Sequence, residues 1–178
     1  MRLLAISGSL RRSSSNAALL HAAVTLAPAG VEITVYDGLA DLPHFNPDLA
    51  EAEPPAVTDL RARLHESDGV LISSPEYAHG VPGVLKNALD WLVGSEEFVG
   101  KLVALLNASP RATYAQASLA ETITTMSGCI VAEASITVPL LGKHLDAAGI
   151  VSHPELSSAL RAAILAFVRV IESRQVTC

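Results

Sequence analysis

Two stretches of this 178-residue chain hold residues whose types and spacing can do chemistry. The first reads Gly8-Ser9-Leu10-Arg11-Arg12-Ser13-Ser14-Ser15-Asn16 and joins an apolar run, Leu3 to Ile6, to a predicted helix start. A helix amino terminus offers unpaired N–H groups and a partial positive charge, so it suits a phosphate. The hydroxyls of Ser9 and Ser15 and the amide of Asn16 add donors. Arg11 adds full charge in a fork geometry. The stretch lacks both GxGxxG and GxxxxGK[ST], which disfavours a tightly held NAD and a nucleoside triphosphatase. The plain alternative is a helix cap in a Ser-rich turn, because Ser and Asn are the ordinary capping residues.

The second stretch runs from Ser73 to Trp91. Pro75 and Pro82-Gly83 make it a rigid, shaped connection after a strand. A polar and aromatic cluster at the carboxyl end of a strand is placed for ligand contact. Tyr77 can lie against a flat ring, with backbone N–H groups bonding the ring's carbonyls. The alternative here is an ordinary loop with Pro82 near the first turn of the next helix.

The remaining candidates weigh less. His21 and His65 fall in or near helices and read as surface or packing residues. His144 and His153 flank an irregular segment. Asp48, Glu51 and Glu53 read as a solvated face. Ser9 as a nucleophile would need a nearby His and acid, and nothing local supplies them. Cys129 and Cys178 form no CxxC or Cys/His spacing, so no metal site is expected, and a reducing, cytoplasmic compartment is.

The elements that must position these loops follow from periodicity. Leu3–Ile6, Glu32–Tyr36, Gly69–Ser73, Lys101–Leu106 and Cys129–Ile136 read as strands. Helices are expected from Asn16 to about Leu26, over Ala56–Glu66, Val81–Val93 and Ala115–Met126, and over Pro154–Arg174. Gly38–Pro55, rich in Pro, Gly and acidic residues, reads as a long irregular loop. The strict alternation of strand and helix predicts a doubly wound, five-stranded parallel sheet in a three-layer α/β/α domain spanning 1–178. Ligands of such sheets bind at the carboxyl ends of the strands near the topological switch point. The loops after Ser7, Tyr36, Ser73 and Leu106 are therefore the ones of interest.

Composition agrees. Hydrophobic residues make up 50% and charged residues 17%, which marks a globular chain rather than a disordered one. The net charge of −6, spread without an acidic tail or basic arm, argues against nucleic acid as a partner. No uncharged apolar run reaches membrane-spanning length.

Taken together, Gly8-Ser9-Leu10-Arg11 with Ser15-Asn16, Pro75-Glu76-Tyr77, and Pro82-Gly83-Val84-Leu85-Lys86-Asn87-Ala88-Leu89-Asp90-Trp91 resemble the NADPH-dependent FMN reductase family. The segment Leu42-Pro43-His44-Phe45-Asn46-Pro47-Asp48 also fits. The resemblance implies a flavodoxin-like fold, bound FMN, NADPH or NADH as co-substrate, and reduction of small electrophiles such as quinones. It assigns the FMN phosphate to Ser9, Arg11, Ser15 and Asn16, and the isoalloxazine to Pro75, Glu76 and Tyr77, largely through backbone atoms, and to the following Ala78. Ser109 would border the pyrimidine end. The chain departs from the family where many members carry Asn after the Tyr and Ser or Thr two residues later; here Ala78-His79-Gly80 stands. It departs again after the fourth strand, with Ala108-Ser109-Pro110-Arg111 in place of a Gly-rich loop.

No convincing triad or carboxylate pair is present, as suits a protein whose cofactor carries the chemistry. His79 is a candidate for donating a proton to a reduced quinone, against the alternative of a solvent-facing loop residue. A flavodoxin-type electron carrier loaded by a separate reductase is the main alternative, and a non-catalytic FMN-binding or phosphate-binding regulator a further one. The Pro82–Trp91 signature favours the reductase. The resemblance also implies a homodimer or homotetramer. Independently, the breadth of apolar residues on the Val81–Val93 helix calls for two burial partners, the sheet and a second copy. Trp91, placed off the helix's main inward face, would meet that copy, unless the Gly38–Pro55 loop covers it within one chain.

Overall fold

The structure is a computed structural model and describes residues 1–175. Cys178 lies outside the described residues. Strands β1 (Arg2–Ser7), β2 (Glu32–Tyr36), β3 (Gly69–Ser73), β4 (Leu102–Asn107) and β5 (Cys129–Ile130) form a parallel sheet in the order β2-β1-β3-β4-β5. A sixth short strand, β6 (Ile136–Thr137), pairs with the end of β4. Helices α1 (Ser15–Leu26), α2 (Pro55–Glu66), α3 (Gly83–Leu92), α4 (Thr113–Thr125), α5 (Ala147–Ser152) and α6 (Pro154–Gln175) cover both faces. This is the flavodoxin-like order, whose switch point lies between β1 and β3.

The sheet is buried on both sides, so its strands are continuous apolar runs. One core packs Leu3, Ala5, Leu71 and Ala104 under α1 and α6, where Leu160, Ile164, Phe167 and Ile171 make the inner face of α6. The other packs Leu4, Ile6, Val70, Ile72 and Val103 under α2, α3 and α4, with Val57, Leu60 and Leu64 supplied by α2. Both helical faces follow the expected spacing of three and four residues.

The structure corrects the expected fifth strand. Cys129–Ile136 is not continuous: a 3₁₀ turn at Ala132–Ala134 leaves the sheet between β5 and β6. In the gap the Ser135 hydroxyl accepts from Leu105 N at 3.0 Å and donates to Val131 O at 2.9 Å, replacing a backbone partner. The segment after it, read as irregular, contains α5, capped by the Asp146 side chain on Gly149 N at 2.8 Å.

Trp91 is a second correction. It is only 3% exposed and belongs to the core. Its Nε1 donates to Pro43 O at 2.8 Å, and Phe45 packs edge-on against its ring at a centroid distance of 5.2 Å. Asn87, one turn earlier, donates to the same carbonyl at 3.0 Å and accepts from Phe45 N at 2.8 Å. The 38–55 segment thus covers α3 within one chain, and the helix's apolar width needs no second copy. Lys86 and Asp90 pair within the helix. The stretches 42–48 and 82–91, both part of the family resemblance, hold each other.

Candidate functional site

Three strand ends converge on one cleft of about 300 Å³. The loop after β1 supplies Ser9, Arg11 and the Ser13–Asn16 run. The loop after β3 supplies Ser74, Pro75, Glu76 and Tyr77. From β4 and the segment beyond come Asn107 to Ser109, Arg111 and Ala112, and Leu141 closes one side. The loop after β2 is absent from the lining; it is the cover over Trp91.

The first wall is the start of α1. Ser14, not a residue of the expected contact set, is the N-cap, and its hydroxyl accepts from Ala17 N at 3.3 Å. Nothing among the described residues accepts from the N–H groups of Ser15 and Asn16, so the helix offers them outward. Asn16 is nearly buried, and its Oδ1 accepts from the fully buried Ser73 hydroxyl at 2.9 Å. One side chain thereby fixes the start of α1 against the end of β3, and its amide nitrogen has no partner among the described residues. Gly8 makes that closeness possible. Its N–H donates to Ser73 O at 2.8 Å, and a Cβ there would meet Ser74 Oγ at 2.5 Å.

The second wall is a tight hairpin. Tyr77 N donates to Gly80 O at 3.2 Å and Gly80 N to Tyr77 O at 2.9 Å. Ala78 and His79 between them both take positive φ, 49° and 62°, as a two-residue turn of the primed type demands. Asn or Gly fits such positions better than Ala or His. Tyr77 stays 53% exposed at the rim. Ala78 and His79 are not among the lining residues; His79 stacks instead on Tyr114 of α4 at 4.2 Å between ring centroids.

The third wall is the start of α4. Its N-cap, Ala112, has no side chain to offer, and Glu76 fills the role from across the cleft, its Oε2 accepting from Ala115 N at 2.9 Å. Asn107 Oδ1 accepts from Ser109 N at 3.0 Å and shapes the turn between β4 and α4.

Eight of the nine expected contact residues therefore line one cleft: Ser9, Arg11, Ser15, Asn16, Pro75, Glu76, Tyr77 and Ser109. The ninth, Ala78, does not. Sequence reading missed Asn107, Arg111 and Leu141. Asn107 had a legible signal, a lone polar residue closing an apolar strand, but the strand was read as ending at Leu106. Leu141 had none, because it arrives from a segment with no periodicity.

Residues 1–139 match the sequence profile of the family described as NADPH-dependent FMN reductase. The chain belongs to that family. Among the members it is similar to, an NAD(P)H-dependent FMN reductase from Pseudomonas aeruginosa is 42% identical over 112 residues, covering 61% of this chain and 60% of the relative. A quinone reductase from Escherichia coli K12 is 34% identical over 113 residues, with 61% and 60% covered. The matched region thus spans about 60% of the length of these curated relatives. Over the whole fold, the chain is similar to FerB, a flavoenzyme NAD(P)H:(acceptor) oxidoreductase from Paracoccus denitrificans, with a TM-score of 0.86, 31% identity and 97% of each chain covered. Membership in the FMN reductase family gives the cleft its context: in a flavodoxin-like fold the ends of β1, β3 and β4 are where a ligand sits.

Proposed function

We propose that the chain is a single-domain, FMN-dependent NAD(P)H oxidoreductase that reduces small electrophilic acceptors such as quinones. The observation that carries this reading is the meeting, at one cleft, of a helix start whose Ser15 and Asn16 N–H groups are free with Arg11 and the rim of Pro75, Glu76 and Tyr77. The cleft fits a flavin mononucleotide. At one end, donors without partners await an anion; at the other, a tyrosine stands exposed beside backbone that can bond a ring's edge.

Arg11, the Ser9 and Ser15 hydroxyls, the Asn16 amide and the free N–H groups of α1 would hold the phosphate. Glu76, by capping α4, fixes the distance between the β3 loop and the Ser109 turn, and so the width of the ring slot. Tyr77 would cover the ring. Bound FMN supplies hydride acceptance and the release of electrons singly or in pairs. The protein then has to bind, orient and exclude, and needs no acid–base pair of its own.

The relatives' names, quinone reductase and NAD(P)H-dependent FMN reductase, support a small-molecule acceptor. A homodimer or homotetramer belongs to the proposal on the family's account, and light scattering at micromolar concentration reads it. A cytoplasmic setting is also proposed, supported by Cys129, a free thiol. Among the described residues no helix is long and apolar enough to cross a membrane. The test of activity is anaerobic addition of NADPH to the FMN-loaded protein. Bleaching of the flavin band, followed by its return on adding a quinone, is expected. Failure of both NADPH and NADH to bleach it would transfer the protein to the electron-carrier class.

A further inference from the structure

The turn between β4 and α4 is closed by its own side chains. Asn107 ends β4 and is only 4% exposed, and its Oδ1 accepts from Ser109 N at 3.0 Å. Ser109 in turn accepts twice, at its hydroxyl from Arg111 N at 3.3 Å and at its carbonyl from Ala112 N at 3.1 Å. Pro110 stands between them with its φ fixed by the ring. Asn107, Ser109 and Arg111 all line the cleft.

This closed turn leaves three sets of donors without partners. The Asn107 amide nitrogen, on a buried side chain that lines the cleft, has none among the described residues. The Arg111 guanidinium has neither a hydrogen bond nor an ion pair among them. Thr113 and Tyr114 open α4, a helix of 13 residues, and nothing among the described residues accepts from their N–H groups. Each set brings positive charge, full at Arg111 and partial at the amide and the helix start. Glu76 is the one carboxylate in the lining, and its Oε2 is engaged on Ala115 N.

We propose that Asn107 and Arg111 receive the pyrimidine end of the flavin, and that the Arg111 charge raises the flavin's reduction potential. The inference rests on the flavin reading of the cleft. A hydride passed from NAD(P)H to N5 of a flavin leaves NAD(P)⁺ and one added negative charge, which spreads over N1 and the C2 carbonyl of the pyrimidine ring. A cation fixed beside those atoms favours the reduced ring over the oxidised one. Arg11 has no such effect, because the phosphate it would hold has the same charge in both redox states. The departure from a Gly-rich loop then has a consequence. Glycines offer backbone N–H groups alone, whereas Asn107 and Arg111 add a buried amide and a full charge.

The test is the reduction potential of FMN bound to the full chain, read by anaerobic titration against a reference dye, beside the affinity for oxidised FMN. Arg111 is exposed, so its substitutions should leave thermal unfolding of the flavin-free protein unchanged. Arg111→Gln should weaken binding of reduced FMN about three- to tenfold more than binding of oxidised FMN, a fall in potential of about 15–30 mV for a two-electron couple. Arg111→Lys, which keeps the charge, should retain most of the wild-type potential. Asn107→Asp keeps the acceptor for Ser109 N and exchanges the donor for a negative charge, so it should lower the potential at least as far. A potential unchanged in Arg111→Gln overturns the proposal, whether FMN affinity is untouched or falls equally in both redox states; the latter would put Arg111 on the phosphate. A fall in Arg111→Lys equal to that in Arg111→Gln also overturns it, since charge would not be the cause. A wild-type chain that takes up no FMN fails before any potential is read, and that result sinks the flavin reading of the cleft itself.

Discussion

Asn16 joins two jobs in one side chain, and they can be separated. Its Oδ1 accepts from the Ser73 hydroxyl, which is fully buried. Asn16→Ala strands that hydroxyl, which should cost about 1–3 kcal/mol of folding stability. The same change removes the amide donor proposed for the phosphate, worth about 1.5–3 kcal/mol for a bond to a charged group, or roughly ten- to a hundredfold in FMN affinity. Ser73→Ala added to Asn16→Ala removes both partners, and such pairs are close to neutral for folding. The double variant should therefore recover most of the lost stability in urea denaturation while FMN affinity, followed by quenching of flavin fluorescence, stays low. Ser73→Ala alone should bind FMN nearly as well as wild type. Recovery of FMN affinity together with stability in the double variant would mean that Asn16 acts on the ligand only through the fold and donates nothing to the phosphate.

Other outcomes follow from single observations. Ala78→Gly should stabilise the protein by about 0.5–1 kcal/mol, a rise of a few degrees in Tm, because it relieves a positive φ of 49°; no change or a fall would mean the turn is not strained. Tyr36 is pushed up to about 12 by burial and by the negative charge of Asp59. The phenol's pKa is raised on folding, so its contribution is full below pH 10 and is lost as pH climbs through 12; Tyr36→Phe should flatten the pH dependence of stability in that window. If nicotinamide and acceptor use the same flavin face in turn, initial-rate plots should show parallel lines, and intersecting lines would reject a shared site.

Much of this was legible in the sequence because the signals were local. The apolar runs of β1, β3 and β4 and the three-and-four spacing of α2 and α6 each follow from a face that must be buried, and they appear as read. The two loops that meet at the cleft each contain their own chemistry, and the strand order brings them together. What was not legible depends on contacts distant in sequence. Glu76 reads as a ring contact in its motif, yet its carboxylate caps a helix 39 residues on. Trp91 cannot be assigned a burial partner from helical spacing, because its partner, Pro43, comes from an irregular loop. The break in the fifth strand turns on one hydroxyl, Ser135, substituting for backbone, a choice that β-propensity does not record. Helix α5, six residues long, is too short to show a period.

In the proposed function, the Gly8–Asn16 loop holds the phosphate of a flavin. Parallel titrations of the flavin-free protein with FMN and with riboflavin test it most directly, since the two ligands differ only in that phosphate. With Arg11 and the N–H groups of Ser15 and Asn16 engaged, FMN should bind about a hundredfold or more tightly than riboflavin, and Arg11→Ala should close about ten- to a hundredfold of the gap. Equal affinity for FMN and riboflavin in the wild-type chain would contradict the account.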